Sequence, residues 1–147
     1  MKILIINGPN LNMLGKREPT VYGPQTLDEL IKITEAKISG LPIDLEWYQS
    51  NHEGEIIDKL QKVSQSTIDG LVINPGGYSH SSVAILDALK LVKCLKIEVH
   101  LTNTHTRDEF RKTRITASGV DFVLEGLKRD TYTAAIQILY QMKENLK

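Results

Sequence analysis

The chain has 147 residues, of which 41% are hydrophobic and 24% charged, and 18 lysines and arginines balance 18 aspartates and glutamates. This is the makeup of one soluble globular domain spanning 1–147, large enough to bury about 68–70% of its unfolded surface without a metal or disulfide staple. The charge balance excludes a global field that would draw in nucleic acid or a membrane surface, so an anionic ligand must be caught by local positive groups.

In chain order, residues 3–6 form a continuous run of Ile and Leu, as expected of a central parallel strand. The run is too short for a signal-peptide core or a membrane span, and the single cysteine, Cys94, suits a reducing compartment. A cytoplasmic location is therefore expected. A polar loop runs from Gly8 to Gly23. Thr26 and Glu29 have capping-box spacing, and Leu27, Leu30, Ile31 and Ile38 mark one face of the helix that follows. Residues 45–48 read as a second strand, and Ile56, Ile57, Leu60 and Val63 as a helix. A third strand at 71–73 is cut off by Asn74-Pro75-Gly76-Gly77. Val83, Leu86 and Leu89 continue as a helix from a Ser-rich start. Fourth and fifth strands are expected at 97–101 and 122–124. The last helix carries Tyr132, Ala135, Ile136 and Leu139, with Asp130 or Thr131 as its cap.

Strand–helix alternation repeated five times predicts an α/β three-layer sandwich, with a five-stranded parallel sheet covered by helices on both faces. Five strands suit the flavodoxin-like order 2-1-3-4-5, which sets strands one, three and four side by side. Ligands of such sheets bind beyond the carboxyl ends of the strands, at the switch point between strands one and three. The polar residues leaving those ends are Asn7, Asn10, Asn12, Arg17 and Tyr22 after strand one, and Asn74, Tyr78 and His80 after strand three. Strand four ends at His100, with Thr102, Asn103, His105, Arg107 and Arg111 following. Taken singly, each has a plainer reading: Asn-Gly-Pro as a turn, His100 as a structural histidine, Arg17 as a solvated charge. No Cys or His spacing matches a zinc pattern, and no cofactor is expected.

A longer series of motifs stands in this chain. Ile6-Asn7-Gly8-Pro9-Asn10-Leu11-Asn12 is followed by Leu14-Gly15-Lys16-Arg17-Glu18-Pro19 and by Tyr22-Gly23 with Thr26-Leu27. Gln49-Ser50-Asn51-His52-Glu53-Gly54, Ile73-Asn74-Pro75-Gly76, and His80 with Asp87-Ala88 come next. Glu98-Val99-His100-Leu101 and Glu109-Phe110-Arg111 close the series. In order and spacing the series resembles the type II 3-dehydroquinate dehydratases. The resemblance implies dehydration of 3-dehydroquinate to 3-dehydroshikimate, in the shikimate pathway of aromatic amino acid biosynthesis or in quinate breakdown. It also implies a flavodoxin-like fold and a dodecamer built as four trimers.

Removing water β to a ketone needs a base at the α-carbon, an electron sink at the carbonyl and an acid for the departing hydroxyl. The resemblance makes Tyr22 the base, acting as tyrosinate with Arg17 as its cation. A free phenol ionises only near pH 10, so a nearby cation is what the role demands. Asn10 would hold the water that stabilises the enolate, and His100 would protonate the leaving hydroxyl. Glu98, two residues earlier on the same strand face, either orients that imidazole or pairs with a surface lysine. Asn74, His80, Arg111 and the backbone at Leu101 and Thr102 would bind substrate, and Asp87 would reach the site of a neighbouring subunit. Gly15 and Gly23 bracket a charged segment that suggests a lid.

The chain departs from the family at Arg114, where serine is usual, and at Lys128 and Thr131, where glycines are. Gly77 replaces a common alanine and Leu95 a common proline. Other proteins of this architecture fit less well. A flavin-phosphate carrier needs hydroxyls in the loop at 7–12, which has none. A phospho-receiver needs an aspartate where Asn74 stands. A phosphate-eliminating lyase stays open on these residues alone.

Overall fold

The computed structural model describes residues 1–145. Five strands, β1 (Lys2–Asn7), β2 (Asp44–Gln49), β3 (Gly70–Asn74), β4 (Leu95–His100) and β5 (Phe122–Glu125), form one parallel sheet in the order β2-β1-β3-β4-β5. The helices among the described residues are α1 (Pro19–Tyr22), α2 (Leu27–Ile38), α3 (Glu53–Ser64), α4 (Val83–Leu91) and α5 (Thr131–Asn145). This is the expected flavodoxin-like α/β sandwich. None of these helices is long and apolar enough to cross a membrane.

Strand periodicity makes the three layers. Ile3, Ile5, Val72, Ile97 and Val99 point to one face and pack against Leu30 and Ile38 of α2 and Ile136 and Leu139 of α5. Leu4, Ile6, Leu71 and Ile73 point to the other, against Ile56 and Leu60 of α3 and Ile85 and Leu89 of α4. Because β1 and β3 are buried on both faces, their sequences read as continuous apolar runs rather than alternating ones.

Helix boundaries follow their caps. Thr26 and Glu29 form the expected capping box at α2, each side chain bonding the other's backbone amide. Ser82 caps α4 by accepting from the amide of Ile85 at 2.9 Å. At the last helix the expected cap takes other partners: Asp130 pairs with Lys37, and the Thr131 hydroxyl donates to the Lys128 carbonyl. The expected loop at 8–23 holds a 3₁₀ turn, Leu11–Met13, and the single turn α1, started by Pro19 at its first position. A four-residue helix is too short to leave a periodic signal. β4 runs from Leu95 to His100, against the expected 97–101, and its last carbonyl, on His100, accepts from the Gly126 amide at 3.1 Å.

The carboxyl ends of β1 and β3 meet closely. The amide of Gly8 donates to the Asn74 carbonyl at 2.7 Å, and a Cβ on Gly8 would lie 2.5 Å from the Pro75 carbonyl oxygen. Beneath them the hydroxyl of Tyr132, from α5, donates to Asn7 Oδ1 at 2.6 Å and accepts from Asn74 Nδ2 at 3.1 Å. Tyr132 is fully buried, and its ring meets Trp47 edge-on at 5.6 Å. Burial pushes its phenol far above the ordinary range, so the hydroxyl keeps its proton and stays a donor. We expect Tyr132→Phe, which leaves both asparagine groups short of a partner, to cost about 1–3 kcal/mol in urea unfolding; an unchanged midpoint would contradict the bridge.

Candidate active site

The five strands end in Gln49, Asn7, Asn74, His100 and Glu125, a polar rim above an apolar sheet. Beyond it lies a cavity of about 140 Å³, lined by Asn10, Arg17, Tyr22, Asn74, His80, His100, Leu101, Thr102, Thr104, Arg107 and Arg111, among others. The residues given catalytic or binding roles by the resemblance are gathered here except Asp87, whereas the rim candidates Asn7, Asn12, Tyr78, Asn103 and His105 do not line this cavity. Asp87 lies on α4, 69% exposed, 4.0 Å from Lys90 and away from this cavity.

Each side chain is placed by a local device. Asn10 adopts φ 67°, a left-handed conformation that asparagine tolerates, and its amide donates to Asn51 Oδ1 at 3.0 Å. Gln49 donates to the same oxygen and to the Gly8 carbonyl, so β2 braces the first loop. Asn74 turns its Oδ1 to the Gly76 amide at 3.2 Å. The segment between Gly15 and Gly23, at φ 82° and 96°, carries Arg17 and Tyr22 to the cavity wall.

Two guanidinium groups stand over the Tyr22 ring, Arg107 at 5.1 Å and Arg17 at 5.9 Å. Arg107 also donates from Nη1 to the Tyr22 hydroxyl at 2.8 Å. In the sequence Arg107 is one more polar residue of the rim, with nothing to mark it as a partner of Tyr22. That hydrogen bond joins residues 85 apart in the chain, and spacing carries no sign of it. Arg17 Nε lies 3.4 Å from Glu18.

His100 and Glu98 occupy one face of β4. His100 Nε2 lies 2.7 Å from Glu98 Oε1, and the Thr116 hydroxyl donates to Glu98 Oε2 at 2.6 Å. Glu98 is fully buried, so its partner is the imidazole and not a surface lysine. With Nε2 engaged, Nδ1 is the ring nitrogen left for the cavity. His80 approaches from the loop after β3, its Nδ1 2.7 Å from the Thr113 carbonyl. Burial, with the charges of Arg111 and His100 against the opposing Thr113 bond, holds its pKa below the ordinary histidine value. His80 is thus a neutral ring whose Nδ1–H faces the carbonyl, with Nε2 free to accept.

Arg17, Arg107 and Arg111 line the cavity and no carboxylate does. In a chain of zero net charge this is a local field suited to an anion. Among the described residues no cluster of three or more His, Cys, Asp or Glu side chains is placed to hold a metal.

The model of the family described as dehydroquinase class II matches residues 1–140. A 3-dehydroquinate dehydratase of Thermotoga neapolitana is 50% identical over 139 residues, covering 93% of this chain and 92% of the relative. One from Helicobacter acinonychis is 46% identical, over 100% of this chain and 89% of its own length. The crystal structure of type II dehydroquinase from Butyrivibrio crossotus superposes with a TM-score of 0.92 at 45% identity, over 95% of this chain and 97% of that one.

Removing the carboxylate behind His100 should be felt in folding. We expect Glu98→Ala to strand the His100 ring and the Thr116 hydroxyl, and to lower unfolding stability by about 1–3 kcal/mol for each buried group left unpaired. Thermal melting checks this, and a wild-type melting curve would contradict it.

Proposed function

The chain belongs to the class II dehydroquinase family, hydro-lyases that dehydrate 3-dehydroquinate, and we propose that it acts by trans-elimination through an enolate, with Tyr22 as base and His100 as acid. The observation that carries this reading is the meeting of Tyr22 and His100 on one cavity walled by three arginines.

The tyrosinate oxygen takes the proton from the carbon beside the ketone, and the electron pair of that C–H bond moves to the carbonyl oxygen as the enolate forms. The N–H of Arg107 rests on the Tyr22 oxygen and Arg17 stands over its ring, so two positive charges face the group that takes the proton. Asn10, on the cavity wall, holds the water that shares the enolate's charge. The enolate collapses to the conjugated enone, the carbon–oxygen bond to the β-hydroxyl breaks, and His100 Nδ1 gives that oxygen its proton. Water departs. One proton has then moved from imidazolium to phenol, and exchange with solvent resets both groups. Glu98 fixes the orientation of the His100 ring.

Binding follows from the donors. Arg111, Asn74 and the backbone at Leu101 and Thr102 take the carboxylate and hydroxyls, and neutral His80 accepts a hydroxyl proton through Nε2. The lid excludes water once Tyr22 docks against Arg107. In the proposed homododecamer of four trimers, Asp87 completes a neighbouring site; its exposure on α4 and its distance from its own cavity suit that role. Nothing in the proposed steps calls for a cofactor, and the proposed setting is the cytoplasm.

Purified protein given 3-dehydroquinate should generate the ultraviolet absorbance of a conjugated enone, and the rate should survive chelator and borohydride. Tyr22→Phe should cut turnover by at least about 10²–10⁴-fold while leaving the circular dichroism spectrum unchanged. Substantial turnover in a folded Tyr22→Phe enzyme would end the assignment of Tyr22 as base.

A further inference from the structure

Glu125 ends β5 and lies opposite His100 in the β4–β5 ladder. Its Oε2 accepts from the Thr104 hydroxyl at 2.7 Å, from the Thr104 amide at 3.3 Å and from Arg114 Nη1 at 2.6 Å. Its Oε1 lies 3.0 Å from His105 Nδ1. The two charged side chains are largely covered, with 20% of Glu125 and 15% of Arg114 exposed. Burial alone would raise the pKa of this carboxyl. The bonds from Thr104 and His105 and the Arg114 charge outweigh burial and hold it below the ordinary carboxylate range.

The held segment carries Arg107. Thr104–Thr106 is a three-residue 3₁₀ turn, far too short to stand unaided. Arg107 follows as its cap, its amide on the Thr104 carbonyl at 3.3 Å and its guanidinium on Tyr22. Asn103 caps the turn, its Oδ1 accepting from the His105 amide at 3.0 Å, and two longer-range ties hold it in place, the Glu125 carboxylate at its start and the Tyr22 hydroxyl on Arg107 at its end. Only an acceptor with several lone pairs can take the amide, the hydroxyl, the ring N–H and the guanidinium together, which a carboxylate does and a neutral side chain does not. The adjacent Arg114, at a position where the resembled family has serine, offsets the cost of covering that charge.

We propose that Glu125, clamped by Arg114, is a positioning residue for the elimination: by fixing Thr104 and His105 it sets where the Arg107 guanidinium meets the Tyr22 oxygen. The proposal rests on the assignment of Tyr22 as base. Glu125 acts entirely through the turn, since it touches neither Tyr22 nor the cavity.

A double-mutant cycle tests it. Glu125→Gln keeps the size of the side chain but turns one acceptor oxygen into a donor, facing groups that already donate. Steady-state kinetics on folded E125Q should show kcat about tenfold lower, the scale of a lost hydrogen bond to a charged group, with KM within about twofold of wild type. In an Arg107→Ala background the same change should leave kcat within about twofold, because the group through which Glu125 acts is gone. A purely structural role would reduce kcat by the same factor in both backgrounds. That result, or wild-type kcat in folded E125Q, overturns the proposal. If E125Q does not fold, Thr104→Val removes the hydroxyl donor to Glu125 and carries the same cycle with the same criteria. Tyr22→Phe decides the underlying assignment separately. Retained turnover there removes Tyr22 as base whatever the cycle gives, whereas an inactive Tyr22→Phe enzyme with equal factors in the cycle removes only the role of Glu125.

Discussion

The phenolic hydroxyl of Tyr132 is the tie on which the site is built. The crossovers from β1 and from β3 pack helices on opposite faces of the sheet, so the chain leaves these neighbouring strands in diverging directions. Divergence opens the crevice that a ligand needs, but it also leaves two buried asparagines at the split. Tyr132 reaches up from α5 and satisfies both, giving to Asn7 and taking from Asn74. Asn74 thereby becomes a fixed wall of the cavity instead of an unpaired cost. The close contact of Gly8 with Asn74 and Pro75 holds the same split from above.

Charge is arranged in two layers around this opening. The inner layer consists of cations and neutral donors: Arg17, Arg107, Arg111, His80, His100, Asn10 and Asn74. Carboxylates stand behind them. Glu98 lies under His100, Glu18 beside Arg17, Asp108 beside Arg111, and Glu125 behind Thr104 with Arg114. This order keeps the cavity attractive to an anion and uses the negative charges to aim the positive ones. The overall charge is zero, so the attraction is confined to the place where it is useful.

The segment between Gly15 and Gly23 and the exit from strand four meet at Tyr22 and Arg107. Tyr22 comes from a segment bracketed by Gly15 and Gly23 at positive φ, and Arg107 from the end of a short turn capped by Asn103 and tied to Glu125. Each is held by the other across the cavity mouth. In the proposed mechanism, docking the base and pairing it with its cation are therefore a single event, and closure and activation coincide.

Much of this was legible in the residues themselves. Apolar runs at β1 and β3, the Thr26–Glu29 box and the alternation of elements specify the sheet and its order, because period, capping and crossover handedness are local or nearly local rules. The polar residues leaving the strands mark the rim for the same reason. What the tertiary structure alone decided are the contacts between distant segments: Tyr132 with Asn7 and Asn74, Arg107 with Tyr22, Thr116 with Glu98, and Arg114 and Thr104 with Glu125. Each depends on how far one loop leans toward another after the sheet has formed. Only the packed sheet, with its register set, fixes that distance, and neighbouring residues carry no trace of it.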